Sequence, residues 1–426
     1  MTDANLAKLA FKFKLEPNGE QRRFFSRTAG CTRFVYNHLL FKCREDFREY
    51  LEEIDSRQSN GEALNRDEAK KLSFRPLCYK GITGLNYLLP DLRKEYPFLQ
   101  ECPSQALQQK AQDLMRAYHR FFDGKGGLPR FKKKALHNSF RFPQGFELDE
   151  DRKKIWLPKI GWIKYRKSRN ILGKPKNVTV SLNHGDWYIS VQTEFELKPL
   201  IQEINLNTAV GIDMGVIRFA TLSDENYIPS LKDRLNPVYE KIEKLQRRLS
   251  RKKKDSKRYI KLRIKLSKLH KKLTDLRYDY LQKESARLVK NHDIICVEDL
   301  KVKNMTKSAK GTIEEPGRNV KQKSGLNREI LKESWSMFFK QLEYKLKLKG
   351  GIFVQIPAKN TSRACHVCGY VDKENRKTQA EFKCIHCGHT ENADVNAAKN
   401  IKRAGLAQIA RQVNCNSSQQ REAIEA

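Results

Sequence analysis

The chain has 426 residues, 39% of them hydrophobic, enough for two to four domains with cores of their own. Its 85 Lys and Arg against 50 Asp and Glu give a formal charge of +35, which points to a polyanionic partner, nucleic acid ahead of an acidic membrane surface. No stretch approaches the roughly 18 apolar residues of a spanning helix. The opening "MTDANLAKLAFKFKLEP" lacks the unbroken apolar run of a signal peptide, so we expect an intracellular, cytoplasmic protein with no membrane partner.

In "LAFKFKL", Phe11, Phe13 and Leu15 alternate with Lys12 and Lys14, the pattern of a strand with one wet, basic face. Asn18 and Gln21 stand at capping-box spacing and open a helical block that reaches about residue 122, with breaks near Gly61, Pro76, Pro90 and Pro103. "SQALQQKAQDLMRAYHRFF" reads as a capped amphipathic helix whose buried face carries Leu107, Ala111, Leu114, Ala117 and Phe121. "DGKGGLPRFKKK" stops it. From Phe140 to Leu197 the period is two. "NVTVSLNHGDWYISVQTEFEL" predicts a hairpin about His184-Gly185-Asp186 that sets Val178, Val180 and Leu182 against Trp187, Ile189 and Val191. Residues 198–207 read as a linker.

"VGIDMGVIRFATLS" then gives two short apolar strands with a carboxylate, Asp213, at the end of the first. Val238, Ile242, Leu245 and Leu249 form one helical seam. Leu262, Leu266, Leu269, Leu273, Leu276 and Tyr280 form another, and the two predict an antiparallel hairpin turning near Asp255-Ser256. Between Arg247 and Lys272 lie fourteen Lys and Arg and a single acid. A solvated charged face would account for them; in so basic a chain we favour a surface that follows phosphates. "HDIICVEDL" is a buried strand ending at Glu298. Residues 303–327 lack apolar periodicity and read as a mobile segment, "SWSMFFKQLEYKLKLKGG" as a helix and "IFVQIPA" as a strand. "DVNAAKNIKRAG" opens a further helix at Asp394.

Asp213, Glu298 and Asp394 thus stand at the ends of three apolar elements. Taken singly, each could be a turn former, a solvated strand end or an N-cap. Taken together they are oxygen donors for hard divalent cations, and two Mg²⁺ about 3.5–4 Å apart can activate water and stabilise the leaving oxygen of a phosphodiester. Of the ten cysteines, Cys365 and Cys368 form one C-x2-C pair and Cys384 and Cys387 another, fifteen residues on. That spacing predicts a closed tetrahedral Zn²⁺ site that supplies folding energy to a short ribbon. Asp394 follows Cys387 by seven residues, so the ribbon is held beside the acids. The six remaining cysteines read as small buried hydrophobes.

The stretches "VGIDMGVIRFATLS", "IICVEDL" and "TSRACHVCGY…FKCIHCGHTENADVNAAKNI" resemble the TnpB proteins of bacterial and archaeal insertion sequences. "FKFKLEPNGEQ…GCTRFVYNHLL" and "LPRFKKK…SFRFP" are similar to the same family. Those proteins are RNA-guided DNA endonucleases related to type V CRISPR effectors. The resemblance implies a multidomain α+β chain. Its parts are an RNase H-like (RuvC) nuclease domain with a four-cysteine zinc ribbon insert and a β-barrel wedge domain carrying an inserted helical recognition domain. Mapped here, residues 1–17 are the first wedge strand, 18–127 the recognition domain and 128–200 the rest of the wedge. Residues 205–360 are the nuclease domain with its basic hairpin at 237–285, 361–391 the ribbon, 392–412 the closing nuclease helix and 413–426 a flexible tail. The partners implied are a guide RNA and target double-stranded DNA, cut with Mg²⁺ beside a short flanking motif. The resemblance assigns Asp213, Glu298 and Asp394 as the catalytic carboxylates. Many members have Asp-Arg-Asp at the last motif; this chain has Asn392-Ala393-Asp394, so Asp394 alone is the acid there. As nucleic-acid contacts we read Arg247, Arg248, Arg251, Lys252, Lys253 and Lys254 in the hairpin, Arg130, Lys132 and Lys133 in "LPRFKKK", and Arg363 before the first knuckle. A guide-directed repressor that binds without cutting is the alternative, disfavoured by three intact acids.

Overall fold

The computed structural model describes residues 6–60, 81–133, 138–196, 206–312 and 314–425. They belong to two compact units, residues 1–196 and 197–426. The expected linker lies almost wholly outside the described residues, as do Cys78 and the side chain of Cys415.

In the first unit, strand β1 (Leu6–Glu16) buries Phe11, Phe13 and Leu15 and turns its lysines outward. The expected capping box is present: the Gln21 N–H donates to Asn18 Oδ1 at 2.8 Å, and the Asn18 N–H donates to Gln21 Oε1 at 3.0 Å. It opens helix α1 (Gly19–Ser59), followed by the short α2 (Gly81–Tyr87) and α3 (Leu89–Glu95), and by α4 (Ser104–Phe122). On α4 the buried face runs through Ala106, Leu107, Lys110, Ala111, Leu114, Met115 and Tyr118. The expected Ala117 and Phe121 are only half-buried, because the large Met115 and Tyr118 take the core position and rotate the face. Nor is the helix side-chain capped: Pro103 precedes it, and Ser104 is its first residue.

Strands β2 (Ser139–Phe142), β3 (Glu147–Asp149), β4 (Lys154–Leu157), β5 (Gly161–Arg166), β6 (Lys174–Asn183) and β7 (Asp186–Glu196) complete an antiparallel sheet in the order β2-β6-β7-β1-β5-β4-β3. The predicted hairpin forms in the predicted register, with Val178 opposite Val191, Val180 opposite Ile189 and Leu182 opposite Trp187. Its turn uses left-handed His184 and Gly185, which suits the strand twist. The expected β-barrel is instead a curled open sheet. Its edge strands β2 and β3 do not pair with each other, yet Phe140 and Phe142 from one end share a core with Ile155, Leu157 and Ile163 from the other.

The second unit is built on a five-stranded sheet of β8 (Ala209–Met214), β9 (Arg218–Leu222), β10 (Tyr227–Pro229), β11 (Ile294–Glu298) and β12 (Ile352–Ile356), in the order β10-β9-β8-β11-β12. β8, β11 and β12 are mutually parallel, β9 runs antiparallel to β8, and β10 runs antiparallel to β9. Parallel strands covered on both faces need unbroken apolar runs, which "AVGI" and "IICV" supply. The helices are α5 (Lys232–Ser250), α6 (Lys257–Asn291), α7 (Val302–Met305), α8 (Val320–Glu333), α9 (Trp335–Lys349) and α10 (Ala393–Glu425); β13 (Glu381–Lys383) and β14 (Thr390–Asn392) form a small ribbon. Val210, Ile212, Ile295 and Val297 face α6 and α9, against Leu281, Leu288, Phe338 and Leu342. Ala209, Ile294 and Cys296 face the other way, against Ile401 of α10.

α5 and α6 form the expected hairpin around Leu235, Val238, Ile242 and Leu273, with Ser256 Oγ capping α6 by accepting from the Tyr259 N–H at 3.2 Å. Two expectations are corrected. The segment 303–327 is not without periodic structure, since it holds most of α7 and the start of α8, which begins at Val320 and buries Ile330. Its apolar residues lie mainly beyond 327, so a window closed there misses the period. The closing helix is not confined to residues 392–412, since its backbone continues as α10 to Glu425; no proline or glycine follows Gly405 to interrupt it.

Candidate active site

Strand alternation decides where the first two carboxylates point. Asp213 shares parity with Ala209 and Gly211, and Glu298 with Ile294 and Cys296, so both project to the face covered by α10. The parallel register pairs Gly211 with Cys296 and Ile212 with Val297, which leaves Asp213 and Glu298 side by side at the carboxyl ends of their strands. α10 comes very close to that face. A Cβ at Gly211 would lie 2.1 Å from the Ala398 carbonyl oxygen, and one at Gly405 would lie 2.2 Å from Cys296 Sγ. Glycine at both points is therefore a packing requirement, and it brings the N-terminus of α10, with Asp394, over the strand ends. Asn392 caps the helix, its Oδ1 accepting from the N–H groups of Asp394 at 3.1 Å and Val395 at 3.3 Å. The cap role falls to Asn392, and the Asp394 carboxylate is left for the cleft.

The three acids line one cleft of about 630 Å³, together with Arg376, Thr361, Trp335 and Asn392. Burial, reinforced by the charges of Glu298 and Asp394, pushes the Asp213 carboxyl up to about 8. Burial likewise raises Glu298, against the opposing effects of a hydrogen bond from Thr361 Oγ1 and the charge of Arg376. Arg376 donates to Asp394 Oδ1 at 3.1 Å and to the Gln379 carbonyl at 2.9 Å. The acids stand farther apart than a close ligand cluster, whose atoms would all lie within 4.8 Å of one another. The cleft is therefore an oxygen-lined, charge-frustrated site whose lining also carries two arginines, Arg218 and Arg376. Nothing in the sequence pattern singled out Arg376; it lies in the ribbon and reaches the acids only through tertiary packing.

The four cysteines do form a close cluster. Their sulfurs lie within 4.8 Å of one another, with Cys365 to Cys387 at 3.7 Å and Cys368 to Cys384 at 3.6 Å. A tetrahedron with Zn–S bonds of about 2.3 Å has edges near 3.8 Å, so the set fits zinc. Left-handed Gly369 and Gly388 close the two knuckles, their N–H groups donating to the carbonyls of Cys365 and Cys384. Asn396 and Asn400, buried one turn apart on α10, hold the first knuckle strand. Asn396 Nδ2 donates to the Ala364 carbonyl at 2.8 Å, and Asn400 Nδ2 to those of Thr361 at 3.0 Å and Ala364 at 2.7 Å. Each such bond is worth about 1 kcal/mol, and orphaning the buried carbonyl costs about 1–3 kcal/mol. The helix that carries Asp394 thus also positions Thr361, and with it Glu298.

The other expected site residues divide. Arg247, Arg248, Arg251, Lys252, Lys253 and Lys254 are exposed around the α5–α6 turn. Arg363 is exposed and lines a basic cavity of about 590 Å³ with Lys373, Arg376 and Lys377, next to the acid cleft, with which it shares Ser362 and Arg376. Arg130 and Lys133 are exposed, whereas Lys132 is engaged within the first unit. Its Nζ lies 3.6 Å from the Tyr36 ring centroid, its backbone exchanges hydrogen bonds with Asn37, and burial lowers its ammonium to about 8. Among the described residues no helix is long and apolar enough to cross a membrane.

A sheet with paired strand-end acids beside a four-cysteine ribbon belongs to a known class of insertion-sequence proteins. Residues 188–309 match the OrfB_IS605 family, described as "Probable transposase", and residues 335–401 match the "Cas12f1-like, TNB domain". Residues 5–51 match a family described as "Helix-turn-helix domain"; here they form β1 and the greater part of α1. The chain is 42% identical over 402 residues, 94% of its length and 93% of the relative's, to "Putative RNA-guided DNA endonuclease InsQ" of Escherichia coli strain K12. It is 31% identical over 412 residues, 94% of its length and 90% of the relative's, to a protein of the same description, without the name InsQ, from Streptomyces pristinaespiralis. A 71-residue stretch, 16% of the chain and 17% of the relative, is 41% identical to the CRISPR-associated endodeoxyribonuclease Cas12f1 of Sulfoacidibacillus thermotolerans. A solved Cas12f1–sgRNA–target DNA complex aligns with a TM-score of 0.46 at 12% identity, over 93% of this chain and 99% of that one. The chain belongs to the TnpB (IS605 OrfB) family.

Proposed function

We propose that this protein is an RNA-guided DNA endonuclease acting in the cytoplasm, which cuts target DNA beside a short flanking motif at a RuvC-type site. The observation that carries this reading is the convergence of Asp213, Glu298 and Asp394 on one cleft. The strand order of the second unit, with its antiparallel arm and its parallel extension, supports an RNase H-like assignment. The long near-full-length relatives, named as RNA-guided DNA endonucleases, support the activity.

The donor set fits Mg²⁺: three hard oxygen ligands, one of them so poorly compensated that its pKa is raised. Bound there, a pair of such ions would supply charge compensation and Lewis acidity for the attack of water on a phosphodiester. The chain's own residues do the rest. Thr361 orients Glu298 through its hydrogen bond, and Arg376 offers a cation to a phosphate once released from Asp394. The exposed cations of the α5–α6 turn bind the backbone of the guide or of the heteroduplex. The four-cysteine ribbon, loaded with Zn²⁺, keeps Arg363 and Arg376 at the mouth of the cleft. Asp213→Ala, assayed with guide RNA and target duplex, is expected to abolish cutting and leave binding of both nearly unchanged. Equal loss of binding would make Asp213 a structural residue and remove the reading.

A further inference from the structure

A second group of metal-type ligands lies outside both sites described above. His366 follows the first ligand of knuckle one, His389 lies just past knuckle two, and Glu391 is in β14. Their ligand atoms lie within 4.8 Å of one another. Glu391 Oε2 is 3.2 Å from His366 Nδ1 and 3.7 Å from His389 Nε2. A tetrahedral ion with bonds of about 2.0–2.1 Å sets its ligands about 3.4 Å apart, and these two separations bracket that edge. Glu391 Oε2 and His389 Nε2 are both buried without a hydrogen-bond partner, so the short approaches do not have hydrogen-bond geometry. Two buried polar atoms left without partners are unfavourable, and a shared ion relieves both.

The surroundings hold these ligands in place. The imidazoles meet edge to face with centroids 4.8 Å apart. Lys399 of α10 donates to Glu391 Oε1, the other oxygen, and pairs at 3.2 Å with Glu225. Asn396 Oδ1 lies 3.2 Å from His366 Nδ1 but also accepts the His366 N–H at 3.0 Å, so the ring nitrogen can be given up to an ion without orphaning Asn396. Four thiolates around one Zn²⁺ carry a formal charge of −2, and two neutral imidazoles with one carboxylate around a second divalent ion carry +1. The two centres therefore attract.

We propose that His366, His389 and Glu391 form a second Zn²⁺-type site that clamps both knuckles and β14 to the first turns of α10. Two imidazoles and one carboxylate are a borderline donor set, suited to Zn²⁺ or Co²⁺ over Mg²⁺. The site leaves a fourth position for water and does not depend on the nuclease reading. The experiment loads the full-length chain with Zn²⁺, removes the excess by gel filtration and measures metal per chain; Co²⁺ loading reports separately on the thiolate site through its sulfur-to-metal charge-transfer band. Wild type is expected to hold two ions, and Glu391→Gln one, with the thiolate band retained. If Glu391→Gln loses that band, His366→Ala is read in its place, with the same expectation. A wild-type stoichiometry of one overturns the proposal, as do two ions retained in both variants.

Discussion

Replacing Asp213 with asparagine should make the magnesium-free protein more stable while removing its activity. In the folded chain Asp213 holds its proton up to about pH 8, against 3.8 for an ordinary aspartate. Between those values the folded state binds more protons than the unfolded state, so stability falls as pH rises through the window. At about 1.4 kcal/mol per unit, holding this carboxyl protonated in the fold costs on the order of 4 kcal/mol at pH 7. Water reaching the open cleft reduces this, and about 2–3 kcal/mol is the expected gain for an amide, which cannot ionise. For a unit the size of residues 197–426 that corresponds to a rise in Tm of about 5–10 °C. The assay is thermal melting of the zinc-loaded, magnesium-free chain at pH 6 and pH 8. Wild type should melt lower at pH 8 than at pH 6, the Asp213→Asn variant should lose most of that slope, and added Mg²⁺ should stabilise wild type alone. A variant melting at or below wild type at both pH values would refute the burial argument.

Glu298→Gln and Asp394→Asn are each expected to lower the cleavage rate by about 10²–10³-fold or more while target affinity measured by filter binding changes little. Arg376→Ala should raise the affinity of the cleft for Mg²⁺, since it removes a competing cation, and should still slow cleavage; an unchanged Mg²⁺ dependence would count against its hydrogen bond to Asp394. Gly211→Ala and Gly405→Ala should each destabilise the second unit by about 1–3 kcal/mol through overpacking, read in denaturant melts; neutrality would mean that α10 stands farther from the sheet than these two close approaches imply. Changing Arg251, Lys252, Lys253 and Lys254 together to Ala should flatten the salt dependence of RNA binding, by about 0.7 in log–log slope for each phosphate no longer neutralised. An unchanged slope would leave those side chains merely solvated.

Local rules carried much of this protein. Period-two alternation put Val178, Val180 and Leu182 opposite their observed partners, because a tight turn of left-handed residues leaves a hairpin one register. Cysteine spacing defined the four-cysteine cluster, whose geometry fits zinc, because a tetrahedral ion tolerates few loop lengths. Local rules were weaker where a large neighbour could rotate a helix face, as Met115 and Tyr118 do in α4, and where a sheet had to close or stay open. The amino-acid sequence by itself named the three acids and the element that carries each. Their gathering into one cleft was decided by tertiary structure. The register of β8 on β11 and the close seating of α10 at Gly211 and Gly405 bring together carboxylates distant along the chain. Arg376 joins them only in space, since its hydrogen bond to Asp394 crosses from the ribbon to a helix and leaves no periodic trace in the sequence.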